Sequence, residues 1–195
     1  TYTACEVPRE DAFASWTRVR PIVRAAAVAT GDARDCRARL GLDPDRPVLL
    51  VTGASQGARS INEFMLKFIA NHTSLFSRGE SWQVLHQTGA HGADDVRRAY
   101  EQAKIDARVE PFVRDMGLWW GAADCAVSRA GAGSVAEAWA NRVPTLFMPY
   151  PYHKDDHQRR NAEPLFRAGA AVVVKDLVDA GDNNEQNGPV LGTIM

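Results

Sequence analysis

The chain has 195 residues, 23 of them Lys or Arg and 24 Asp or Glu, for a formal net charge of -1. That length is enough for one domain with a sizeable core, and the charge balance speaks against a nucleic-acid-binding surface without excluding a local basic patch against a membrane. No apolar run reaches the ~18 residues of a membrane-spanning helix, and no secretory signal opens the chain. Cys5, Cys36 and Cys125 are odd in number and lack CxxC spacing, so they read as reduced thiols of a cytosolic protein. The first residue is not Met, and residue 1 reads as a cut point.

Residues 1–46 show no regular pattern and read as a connector and N-terminal segment. Pro21 disfavours helix in the residues before it, and residues 32–40 suit a short helix stopped by Gly41. From Pro47 to residue 178 the rhythm is regular. The apolar run Val48-Leu49-Leu50-Val51 predicts a strand that opens onto Gly53-Ala54-Ser55-Gln56-Gly57. Ile61, Phe64, Met65, Phe68 and Ile69 recur at helical spacing. A strand over 82–86, a helix over 92–104 and a strand over 108–113 follow, and then a short helix capped by Asp115 and reaching Ala122. A strand over 125–127 runs into Ser128-Arg129-Ala130-Gly131-Ala132-Gly133, and a helix over 134–141 comes next. The series ends with a strand over 143–148, a helix over 158–168 and a strand over 171–174. Residues 179–188 read as a polar loop-like tail, and 189–195 as an apolar ending that docks on the domain.

Strands that alternate with helices predict an α/β fold: a Rossmann-like parallel sheet of about six strands with helices on both faces. Ligands of such sheets lie at the carboxyl ends of the strands, near helix N-termini. Two turns there are built of small residues, 53–58 and 131–134. Small residues let backbone N–H groups approach a phosphate, and Ser55 and Ser134 add hydroxyls; tight strand–helix packing would explain the same composition. Neither turn is a Walker A loop.

Glu137 stands three residues after Ser134. It reads either as a capping-box glutamate or as a carboxylate that accepts two hydrogen bonds from a ribose diol. After Pro149-Tyr150-Pro151-Tyr152 comes the polar cluster His153-Lys154-Asp155-Asp156-His157-Gln158. It reads as a solvated loop, as a polar rim in which Asp155 and Gln158 bond sugar hydroxyls, or, less economically, as a metal site lacking a third suitably spaced ligand group. Arg24 suits diphosphate recognition through its bidentate fork, with an exposed arginine as the plain alternative. Val113 and Met116 follow a strand end, where they would wall a base pocket or fill the core, and Trp119-Trp120 read as core or partner-facing.

Several of these motifs together, in this order, resemble the MurG family of N-acetylglucosaminyltransferases. Gly53-Ala54-Ser55-Gln56-Gly57-Ala58-Arg59 is similar to its Gly-Gly-Ser-Gln-Gly-Ala-Arg signature, with Ala54 for the second glycine. His86-Gln87-Thr88-Gly89, Pro111-Phe112-Val113-Arg114-Asp115-Met116, 128–137, 149–158 with Asn161-Ala162, and Gly169-Ala170-Ala171 continue the likeness over residues 19–178. Arg20-Pro21-Ile22-Val23-Arg24 departs from the family's Gly-Asn-Pro-Val-Arg, Gly133 replaces a bulkier residue, and His157 stands where glutamine is frequent.

The resemblance implies the C-terminal half of a GT-B fold that binds UDP-N-acetylglucosamine and needs no metal or other cofactor. Arg24 and Ser55 would face the diphosphate, and Val113 would meet the uracil through its backbone with Met116 nearby. Ala132, Gly133 and Ser134 would face the phosphates and Glu137 the ribose diol, while His157 and Gln158, with Asp155, would meet the sugar. It implies further that no catalytic residue lies in this chain. The lipid I acceptor and a peripheral contact with the inner face of the cell membrane would belong to an N-terminal domain outside it. Other GT-B UDP-sugar transferases, a UDP-N-acetylglucosamine epimerase domain and a non-catalytic nucleotide-binding module are the competing expectations.

Overall fold

The computed structural model describes residues 21–53, 57–76, 81–90, 92–152 and 155–195, and the backbone at 2–3 and 17–18. Those last two short pieces, β1 (Tyr2–Thr3) and β2 (Thr17–Arg18), pair in parallel. The rest is built on one six-stranded sheet of β3 (Val48–Thr52), β4 (Gln83–Gln87), β5 (Ala107–Glu110), β6 (Cys125–Ser128), β7 (Thr145–Phe147) and β8 (Ala171–Val173). Every pairing is parallel and the order is β5-β4-β3-β6-β7-β8. The chain winds outward from β3 to one edge, then returns to β6 and winds to the other. The order reverses between β3 and β6, and in such sheets the ligand crevice lies at this switch point, outside the carboxyl ends of the strands.

Parallel strands covered on both faces read as continuous apolar runs, and β3 is buried at all five positions. Alternate residues divide between two cores. Val48 and Leu50 join Leu85, Ala126 and Phe147 on the face covered by α1 (Ala33–Arg39), α5 (Met116–Ala122), α6 (Ala132–Asn141) and α7 (His157–Arg167). Leu49 and Val51 join Val84, Val127 and Leu146 under α2 (Arg59–Asn71), α4 (Ala93–Gln102) and α8 (Ala180–Ile194), with the short α3 (Thr73–Phe76) beside α2. The stripe Ile61, Phe64, Met65, Phe68 and Ile69 of α2 is wholly buried; each such side chain contributes roughly 1.5–3 kcal/mol by leaving water. Asp32 and Asp115 cap α1 and α5 by accepting from the backbone N–H groups of Asp35 and Leu118.

Beyond shifts of one or two residues at other ends, the structure departs from the sequence reading in the following places. The third strand of the regular series stops at Glu110 rather than 113, because Pro111 has no N–H to continue the ladder. The strand over 143–148 narrows to Thr145–Phe147. Helix α6 starts at Ala132, two residues early. Residues 179–188, read as a loop, are the N-cap and first nine of the 15 residues of α8. Asp179 caps that helix by accepting from the N–H groups of Gly181 and Asp182, and Leu191 in the apolar ending is fully buried.

Helix α8 is held by a buried polar network. Arg129, just past β6, donates to Asp176 Oδ2 at 2.7 Å, to Ser60 Oγ at 2.8 Å and to the Met148 carbonyl at 2.9 Å. Asp176 Oδ2 also accepts from Ser60 Oγ at 2.7 Å, and its Oδ1 accepts from Asn183 at 2.9 Å and from Val178 N–H at 2.8 Å. Val178 carries φ = 68°, costly for a β-branched residue. The Asp179 N–H to Leu177 carbonyl bond of 2.8 Å closes a γ-turn around it, and the Asp176 bond fixes it from behind. Burial pushes the Asp176 carboxyl up, but the bonds from Ser60, Asn183 and Val178 and the Arg129 charge outweigh it, leaving its pKa below the ordinary value. Replacing Asp176 with Ala strands the Arg129 guanidinium without a counter-ion. We expect a loss of about 3–5 kcal/mol, read as a fall in the urea-unfolding free energy; a loss below 1 kcal/mol would show that the pair does not hold the domain.

A second polar centre sits under β4. His86 is fully buried; its Nδ1 lies 2.7 Å from the Tyr100 hydroxyl and its Nε2 3.0 Å from Asn62 Oδ1. Asn62 Nδ2 donates to the Thr88 carbonyl, so Oδ1 is the acceptor and Nε2 carries the ring proton. Burial drives the imidazole down to about 3. The unfolded chain takes up a proton near pH 6.5 that the folded chain refuses, so stability present above that pH is lost as pH falls toward 3. Between pH 7 and pH 5 the unfolding free energy should drop, with a limiting slope of ~1.4 kcal/mol per pH unit. His86→Gln should lower stability at pH 7 and flatten that slope, and an unchanged slope would remove His86 as its source.

Candidate functional site

Two loops flank the crevice, and their small residues have different causes. In the first, Ala54, Ser55 and Gln56 lie outside the described residues. A Cβ on Gly53 would stand 2.2 Å from the Ala58 nitrogen. Gly57 has φ = 74°, and a Cβ there would stand 2.5 Å from the Thr88 carbonyl oxygen. Close backbone approach therefore demands both glycines. In the second loop a Cβ on Gly131 or Gly133 would meet nothing within 4 Å. Packing does not ask for glycine here. Ala132 and Gly133 are exposed, and no side chain caps α6. The unpaired N–H groups and positive dipole end of this ten-residue helix thus face open space, which favours an anion. Ser134, in the same turn, is buried.

Glu137 lies one turn further along α6. With the N-cap at Gly131, Ser134 is the third helical residue and Glu137 falls beyond the first turn, so the capping-box reading fails. Its Oε2 accepts from the Trp120 indole N–H at 3.1 Å, and its Oε1 lies 3.4 Å from Arg24. The glutamate side chain is 15% exposed and the arginine 67%.

The segment that carries Arg24 is fixed from below. Asn141 Oδ1 accepts from Ala29 N–H at 2.8 Å, and its Nδ2 donates to the carbonyls of Ala27 and Glu137, each at 2.8 Å. Gly117 of α5 lets the same segment come close, since a Cβ there would stand 2.5 Å from the Val28 carbonyl oxygen.

At the end of β5, Val113 and Met116 are buried in the core, while Phe112 between strand and helix is 60% exposed. Beyond β7, Gln158 Oε1 accepts from Tyr150 N–H at 2.9 Å, and His157 Nδ1 lies 2.8 Å from Asp155 Oδ1. The His157 hydrogen bond holds the exposed Asp155 carboxyl below its usual value. His153 and Lys154 lie outside the described residues, and no cluster suited to a metal ion occurs among the described ones. Asn161 Nδ2 donates to the Ala130 carbonyl at 3.1 Å, tying α7 to the second loop.

Arg24 and Glu137 are thus in direct contact, Ala132 to Ser134 sit one turn before Glu137, and His157 and Gln158 close a separate loop at the next strand. Sequence reasoning missed Trp120 as a partner of Glu137, Asn141 as the clamp on the Arg24 segment, and Arg129 as the knot behind the loops. A charged residue inside the small-residue run 128–134 was the one available signal for the last.

The family model "Glycosyltransferase family 28 C-terminal domain" matches residues 48–180. A UDP-N-acetylglucosamine–N-acetylmuramyl-(pentapeptide) pyrophosphoryl-undecaprenol N-acetylglucosamine transferase of Nocardioides sp. is 41% identical over 158 residues, covering 81% of this chain and 41% of that protein. The transferase of the same name from Coxiella burnetii is 43% identical over 128 residues, covering 66% of this chain and 35% of that protein. Among solved structures, Acinetobacter baumannii MurG aligns with a TM-score of 0.65 at 25% identity, over 90% of this chain and 48% of that one. The chain therefore spans less than half the length of these relatives. On the extent of the family match and the identity to these relatives, the chain belongs to the glycosyltransferase family 28 C-terminal domain family.

Proposed function

We propose that this domain binds UDP-N-acetylglucosamine in the crevice and is the donor half of an inverting transferase that adds N-acetylglucosamine to lipid I, giving lipid II. The observation that carries the reading is the open first turn of α6 with a bonded carboxylate, Glu137, one turn behind it. A nucleoside diphosphate has a diphosphate for the N–H groups of Ala132, Gly133 and Ser134 and a ribose diol for Glu137. The guanidinium of Arg24 has five donors, so it can keep one on Glu137 and present others to the diphosphate. In this reading the Val113 backbone, with Met116 nearby, would meet the uracil, Gln158 and His157 would meet the sugar, and Ser55, outside the described residues, would face the diphosphate.

In this reading the acceptor hydroxyl attacks the anomeric carbon from the opposite face and UDP departs. The helix terminus and Arg24 stabilise the charge that builds on the diphosphate. The acceptor, the base that takes its proton and a peripheral contact with the cytoplasmic membrane face belong to the remainder of the enzyme. Among the described residues no helix is long and apolar enough to cross a membrane. The names and lengths of the relatives support this division of labour.

Titration calorimetry with UDP-N-acetylglucosamine, UDP-glucose and UDP tests the reading. We expect preference for the N-acetylated sugar, and at least roughly tenfold weaker binding of all three by Glu137→Ala, since hydrogen bonds to a charged group are being lost. Equal affinity for both sugars would reopen the choice among UDP-sugar enzymes, and an unaltered Glu137→Ala titration would remove the carboxylate from the site.

A further inference from the structure

Trp120 has no exposed surface and a single polar atom, the indole N–H. A buried indole N–H needs a partner, and any nearby carbonyl would serve. Here it is given to Oε2 of Glu137, on the neighbouring helix, whose other oxygen faces Arg24 at the crevice. The indole is fully buried. It belongs to the same buried core cluster as Trp119, Val135 and Ala138, and α5 and α6 pack against each other. Helix α5 is in turn pinned by its Asp115 cap and by the close approach of Gly117 to the Val28 backbone.

Glutamate has three side-chain torsions, and an unbonded one on a helix surface samples many rotamers. Ordering such a side chain when a ligand binds costs affinity. One bond from a fixed donor removes most of that freedom beforehand. It uses one of about four lone-pair sites on the carboxylate, and Arg24 uses another; the remaining sites stay available to two adjacent hydroxyls.

We propose that Trp120 is a positioning residue for donor recognition: its indole N–H fixes the Glu137 carboxylate in the orientation that accepts the ribose diol, so that selectivity for ribose over 2′-deoxyribose is set from inside the core. The proposal rests on the donor reading above and adds to it a residue that no ligand touches.

The test is calorimetry of the chain with UDP and 2′-deoxyuridine diphosphate, on the unaltered protein, Trp120→Phe and Glu137→Ala. Phenylalanine keeps an aromatic ring in the core and deletes the donor. Trp120→Phe should bind UDP about tenfold more weakly, and 2′-deoxyuridine diphosphate, which offers the carboxylate only its 3′-hydroxyl, should weaken by less, so the ratio between the two ligands falls toward that of Glu137→Ala. A Trp120→Phe protein that keeps the original ratio, or weakens both ligands equally, overturns the proposal and leaves the donor reading intact. An unaltered protein that does not bind UDP, or does not discriminate the two, overturns the donor reading and this proposal with it. Should Trp120→Phe fail to fold, the indole N–H proton resonance of Trp120 supplies the readout. It should shift between the unaltered protein and Glu137→Gln and again on addition of UDP, and a resonance indifferent to both overturns the proposal.

Discussion

The Arg129–Asp176 pair sits where four parts of the chain meet. Arg129 belongs to the loop after β6, Ser60 to the first turn of α2, the Met148 carbonyl to the end of β7, and Asp176 to the stretch between β8 and α8. Buried ion pairs are poor sources of net stability, because the desolvation of two charges offsets most of their attraction. Their effect is geometric: with one partner fixed, any arrangement that leaves the other unpaired is expensive. Here the geometry in question is that of three loops at the carboxyl end of the sheet. The Tyr150 ring lies over the guanidinium at 5.6 Å and extends the same knot into the loop that Gln158 of α7 closes.

Against this fixed background the two crevice loops divide their work. Gly53 and Gly57 are small so that the backbone can fold against itself and against the Thr88-Gly89 turn. The second loop is small without being crowded, and it leaves the positive end of α6 accessible. Charge is supplied from elsewhere, by Arg24 on a segment that precedes the sheet and is stitched to α6 by Asn141. The terminus and carboxylate of α6 thus meet an arginine from a separate part of the chain, because α5 and α6 pack together and the glycines of α5 admit the Arg24 segment.

Most of the sheet was legible because buried parallel strands must be apolar, and β3, β4 and β6 announce themselves in short runs bounded by turn residues. Helix α2 was legible from its stripe, and α1 and α5 from their capping aspartates. Helix α8 was not. Gly181, Gly188, Gly192, Pro189 and three asparagines argue against a helix on propensity alone. It forms because Asn183 and Asn187 bond inward to Asp176, the Lys175 carbonyl and each other, while Leu191 docks against the core. The crevice was half legible. Small residues and Glu137 stand out in the sequence, but an indole 17 positions from its carboxylate and an arginine 47 from its aspartate leave no local trace.

The two oxygens of Asp176 face in opposite directions in function. Oδ2 serves the crevice, through Ser60 and Arg129, and Oδ1 serves α8, through Asn183 and the Val178 turn. A single planar group therefore joins the two as one cooperative unit. Coupling through a shared group is reciprocal: whatever firmed the loops would slow amide hydrogen exchange in α8, and whatever firmed α8 would return the same free energy to the loops.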